Sequence, residues 1–189
     1  MKKLLALLAI TTLSFSVFAQ QKIEWEQDLK LGKEYFQGEA PTTPKTGIQE
    51  YYLSANMDFS YAMGTYEFLF KKNFNKYVNV SISPHHSWMQ DGEYTDQLLA
   101  YAQLQFDLLE LYARKFRKSL YENKKAFSDS NFANELYAQI GNDYSLHLSK
   151  LKSDLVANPQ NISQHQLAID TAIIELDQFC KDCKPKKKK

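Results

Sequence analysis

The feature that most limits how this chain can fold is an uninterrupted helical pattern from Thr95 to about Asn123. At ~1.5 Å per residue it makes a rod of roughly 40 Å. That is long for a chain of 189 residues, so the other elements have to be arranged around it. Asp91-Gly92 makes a turn just before it, and Thr95 or Asp96 is the expected cap. At ~100° per residue Leu98, Tyr101, Ala102, Gln105, Leu108, Leu109, Tyr112, Ala113 and Phe116 share one broad stripe, the face expected to meet the core or a cleft. Gln103, Asp107, Glu110, Arg114 and Lys118 cluster opposite and are expected to be solvated, with Glu110 and Arg114 in the favourable order for an ion pair one turn apart.

Strands are expected upstream. From Tyr51 to Tyr61 apolar residues alternate with polar ones, the period of a half-buried strand. Gly64 marks a turn, Tyr66 to Lys71 reads as a second strand, and Val78, Val80 and Ile82 alternate with Asn79, Ser81 and Ser83 as a third, ended by Pro84. An antiparallel meander is the simplest connection. Gly38 to Gly47, with Pro41 and Pro44, reads as a loop. Downstream, helical patterns run from about Asn131 to Val156 and from about Ser163 to Phe179, split by Asn158-Pro159.

The N-terminus has the layout of a secretory leader: Lys2 and Lys3, an apolar run from Leu4 to about Val17, and Val17-Phe18-Ala19 as a small-residue cleavage site. The expected organisation is residues 1–19 as signal peptide, 20–183 as one α+β domain and 184–189 as a disordered lysine tail. The expected product is secreted or periplasmic, with no transmembrane segment after cleavage. Without Lys2, Lys3, Lys184 and Lys186 to Lys189 the body carries 16 basic residues against 22 acidic ones. That balance argues against nucleic acid as a partner, since such binders carry positive charge on a folded face.

Cys180 and Cys183 are the only cysteines. The pair does not open a helix in a βαβ pattern, as a redox motif does, and no second pair exists to complete a zinc site. A local disulfide, or a bond to another molecule, is the expectation in an oxidising compartment. Asn161-Ile162-Ser163 fits a glycosylation acceptor, but no Gly-x-Ser-x-Gly elbow and no glycine-rich phosphate loop occurs.

Ser87-Trp88, Leu98-Leu99, Gln103, Phe106-Asp107, Glu110 and Tyr112-Ala113-Arg114 form a frame that resembles the bacterial secreted proteins catalogued as domain of unknown function 922, regarded as predicted zinc-dependent peptidases. The resemblance implies a zincin-like arrangement: an antiparallel sheet packed against the long helix, with two further C-terminal helices. In the family the helix carries His-Glu-x-x-His. Carried over by position, those groups fall on Tyr101, Ala102 and Gln105. Metal hydrolysis at such a motif needs two imidazoles to grip the ion and a carboxylate to activate its water, and none of the three is present.

The resemblance therefore implies a non-catalytic relative of a zinc peptidase with no cofactor, acting as a binding or scaffold protein for an extended peptide or an envelope protein. The alternative is a metal-dependent hydrolase with ligands relocated to His85, His86, His147 or His165. Because vacated polar groups are costly to bury unpaired, the Tyr101 hydroxyl and the Gln105 amide are expected to share a hydrogen bond or a common neighbour.

Overall fold

The computed structural model describes residues 22–43, 48–60, 73–123 and 131–186. The order of elements is β1 (Ile23–Glu24), β2 (Tyr51–Tyr52), β3 (Ala55–Phe59), β4 (Val78–Ile82), β5 (Trp88–Met89), α1 (Thr95–Glu122), α2 (Phe132–Ala157) and α3 (Ile162–Glu175). The architecture is α+β, with two small antiparallel sheets packed against the long helix and two further helices after it. Among the described residues no helix is long and apolar enough to cross a membrane. The expected signal peptide and the end of the lysine tail, Lys187 to Lys189, lie outside them.

The period-two run that begins at Tyr51 forms two strands in different sheets, not one. β2 pairs with β5, placing Tyr51 opposite Met89 and Tyr52 opposite Trp88, whereas β3 pairs with β4. The corner is made by Ser87, which is fully buried. Its hydroxyl accepts from the Ser54 N–H and donates to the Ser83 carbonyl. Alternation continues through the corner because Leu53 is still buried, and periodicity reports burial, not strand continuity.

The meander is likewise not formed. β4 is the central strand, flanked by β1 and β3, with Phe59 opposite Val78, Met57 opposite Val80 and Ala55 opposite Ile82. The register matches apolar residue to apolar residue on the buried face, so the first and third expected strands pair directly. The Gly64 turn and the strand expected at Tyr66 to Lys71 lie outside the described residues.

α1 spans 28 residues. Neither Thr95 nor Asp96 caps it by side chain. Thr95 lies inside the first turn and its hydroxyl bonds back to the Gly92 carbonyl, while Gln49, just before β2, accepts from the Tyr94 N–H. Asp96 still places negative charge where the helix dipole favours it. The break at Asn158-Pro159 is where the sequence puts it, but α3 stops at Glu175 and a short 3-10 turn, Asp177–Phe179, follows.

The main correction concerns the polar face of α1. Gln103, Asp107, Glu110 and Arg114 are buried, and Lys118 is half-buried. α1 is central, in contact with β3, β4, α2 and α3, so no face of its middle turns is left to water. Asp107 accepts from the Trp25 indole at 2.8 Å, from Gln103 and from Gln166. Burial still pushes its carboxyl above the ordinary aspartate value, against those three donors. The expected Glu110–Arg114 pair forms at 3.0 Å, but inside the protein, where Arg117 joins it at 2.7 Å. Arg117 also donates to the carbonyls of Val78 and Phe179, and Arg114 to that of Ile173. This cluster ties α1 to β4, α3 and the C-terminal turn.

Cys180 and Cys183 are joined to each other. The Cys183 carbonyl accepts from the side chains of Asn73 and Asn75, so the disulfide turn is fastened to the segment that leads into β4.

Candidate functional site

Tyr101, Ala102 and Gln105 lie on the second and third turns of α1. Ala102 is fully buried, while Tyr101 and Gln105 are half-buried. Among the described residues the two polar side chains do not bond each other, and their hydrogen bonds go to different partners. The Gln97 amide donates to the Tyr101 hydroxyl at 2.6 Å, and the Tyr51 hydroxyl donates to Gln105 Oε1 at 3.3 Å. The reason lies in helix geometry: side chains lean toward the N-terminus, so Tyr101 reaches back one turn to Gln97 and leaves Gln105 to the strand. Gln105 also bonds Tyr144 of α2.

A cluster of phenols therefore surrounds this stretch. Burial pushes the Tyr51 hydroxyl well above the ordinary tyrosine value, with Tyr144 and Tyr101 nearby adding to the shift. Burial also raises Tyr144, to about 12, although its bond to Gln105 acts in the opposite direction. Unfolded phenols release their protons from about pH 10, whereas the folded chain retains them. The unfolded state then binds fewer protons, so this contribution is complete below about pH 10 and is lost as the pH rises toward 12. Denaturant titrations between about pH 9.5 and 11.5 should show a shallower loss of stability for Tyr51→Phe and Tyr144→Phe than for the parent chain. Parallel curves would contradict the buried-phenol geometry.

Beside these residues lies an apolar groove of about 750 Å³, walled by β2 and β5, the first turns of α1 and the last turns of α2. Tyr101 lines it, with Tyr52, Trp88 and Tyr94 contributing aromatic faces and Leu148, Leu155 and Val156 an aliphatic wall. Tyr52 stacks on Trp88 with ring centroids 6.4 Å apart. Of seven large apolar side chains exposed among the described residues, Ile48, Tyr52, Tyr94 and Val156 line this one groove. A concentration of that kind marks a binding surface more than scattered exposure does.

The four histidines are not gathered there. His85 and His86 are exposed on the 3-10 turn after β4. His147 Nδ1 shares a hydrogen bond with the Tyr112 hydroxyl, and burial and Lys115 push its pKa below the ordinary value. His165 bonds Asp154 at 2.7 Å. Among the described residues no three His, Cys, Asp or Glu side chains are grouped so as to hold a metal ion.

The chain matches no family model, and no curated protein or solved structure is significantly similar to it. The chemistry must be argued from the groove itself. Its lining offers apolar area, phenol hydroxyls, one carboxylate at Glu50 and one ammonium at Lys152, which suits holding a ligand. The sequence pattern put Tyr101 on a face meeting the core or a cleft but did not single out Tyr52, Tyr94 and Lys152 as lining residues, nor Trp88 in that role. The period-two run at Tyr51 and Tyr52 was the one signal that pointed to part of this wall.

Proposed function

We propose that the chain is an exported, non-catalytic relative of zinc-dependent peptidases, secreted or periplasmic, that binds an extended peptide of an envelope or secreted partner. The observation that carries this reading is the setting of the degenerate stretch: Tyr101 lines the apolar groove of about 750 Å³ and Gln105 is bonded to the strand beside it. A phenol, a methyl group and a carboxamide occupy the positions at which a zinc peptidase presents imidazole, carboxylate and imidazole. None of them activates water. The zincin-like arrangement belongs to the same reading, because a short strand runs beside the helix at the level of the lost ligands.

The ancestry is tested by restoring the histidines. Tyr101→His with Gln105→His leaves the fully buried Ala102 untouched, so the fold is spared. The control is an equally spaced pair on an exposed face of α2, Asn142→His with Leu146→His. Zinc affinity, measured by competition with a chromogenic chelator, should be about tenfold higher for the first pair, because supporting groups around a former metal seat strengthen binding. Equal affinities would reduce the resemblance to chance.

A further inference from the structure

Two features of the groove narrow what it can hold. The first is the backbone of β2. The Gln90 N–H donates to the Glu50 carbonyl, so the facing Tyr51 and Met89 form a pair whose backbone groups point away from each other. The Tyr51 N–H and C=O thus lie on the outer edge of a two-stranded sheet, and no described group bonds them. An open edge beside an apolar groove suits a ligand with alternating donors and acceptors, which a peptide has and an acyl chain lacks.

The second is Lys152, the only cation lining the groove among the described residues. It sits between Leu148 and Val156 in one row of the α2 wall. As a residue it is exposed, yet the apolar wall partly desolvates its ammonium and pushes its pKa below the ordinary lysine value, with no acidic neighbour opposing the shift. Its height along the groove follows from the helix pairing. Tyr112 of α1 meets Tyr144 of α2 edge to face at 5.9 Å, and Phe116 meets Tyr137 at 5.6 Å, so the two helices run antiparallel. Lys152 lies as far beyond Tyr144 as Leu104 lies before Tyr112, about 12 Å in each helix. It therefore stands level with the turn from Tyr101 to Gln105, where the resemblance would seat a metal.

We infer that the groove takes an apolar peptide C-terminus, its backbone added to the β2 edge at Tyr51 and its free carboxylate paired with Lys152. This rests on the groove being the binding site and names its ligand. The terminal carboxylate is the one anion that an otherwise apolar peptide possesses.

The test uses N-terminally fluorescein-labelled Gly-Ser-Val-Leu-Val-Phe as free acid and as amide, titrated with the full chain by fluorescence anisotropy. The acid should bind about five- to tenfold more tightly. Lys152→Met should erase that difference, and Tyr52→Ala should weaken both peptides. Equal binding of acid and amide would overturn the role of Lys152, with the groove reading intact if Tyr52→Ala still weakens both. Binding indifferent to Tyr52→Ala would overturn the inference and the groove reading together. Should neither peptide bind, the peptide assignment falls. Palmitate then serves as the second probe, and Tyr52-dependent binding of it would keep the groove as a site for an acyl anion.

Discussion

Glu110→Gln is expected to lower the unfolding free energy by about 3–5 kcal/mol, read as a fall in the urea midpoint with the m-value little changed. Among the described residues Glu110 is the only carboxylate bonded to both Arg114 and Arg117, and the three are 3% exposed or less. The glutamine keeps the shape and one acceptor but removes the charge, leaving buried Arg117 without its counter-ion and Arg114 with only the exposed Asp177, 3.8 Å away. Neither arginine can turn to water, because each is held by main-chain carbonyls of Ile173, Val78 and Phe179. Those carbonyls also explain why replacing all three ionic residues by apolar ones offers no escape here: acceptors in β4, α3 and the C-terminal turn would be orphaned. Lys118→Gln, one turn on and half-buried, is the control, at about 0.5 kcal/mol or less. A comparable loss in both variants would mean that the cluster is not the fastening described.

Much of the framework was legible because it rests on local patterns. Val78, Val80 and Ile82 alternate and form the central strand, Asn158-Pro159 breaks the last helical stretch, and the run from Thr95 is one helix. What failed depends on partners far away in the chain. A helical wheel grades Asp107 and Glu110 as solvated because it sees only their polarity, whereas their burial depends on donors such as Trp25 and Gln166, 82 and 59 residues away from Asp107. The corner at Ser87 was hidden for a similar reason, since a serine hydroxyl that spans Ser54 and Ser83 leaves no periodic trace. The groove lay beyond reach for a third reason: its aromatic walls and its lysine are brought together only by the antiparallel packing of α2 on α1. The helix alone could place Tyr101 only on a face meeting the core or a cleft. Its hydrogen-bond partner could not be read there, because the choice between Gln97 and Gln105 depends on the tilt of the side chain and on a strand.

That helix packing is itself open to test, and Phe116→Ala is expected to cost about 3–5 kcal/mol. Phe116 is fully buried and is the ring on which three elements converge. It meets Phe59 of β3 edge-on at 5.0 Å and Tyr137 of α2 at 5.6 Å, while Phe59 and Tyr137 stack on each other. Edge-to-face pairs of this kind add to the stabilisation from burial alone, so truncation removes transfer energy and two ring contacts and opens a cavity. Collapse into that cavity is hindered on one side, because the Tyr137 hydroxyl is bonded to the Met57 carbonyl and fixes the neighbouring ring against the sheet. Phe116→Leu, which keeps most of the volume, should lose far less, about 1–1.5 kcal/mol. Chemical denaturation of the two variants side by side decides the matter. Similar small losses would show that sheet, α1 and α2 close over the gap, and the shared level of Lys152 and the Tyr101 turn, which depends on that same helix register, would lose its support.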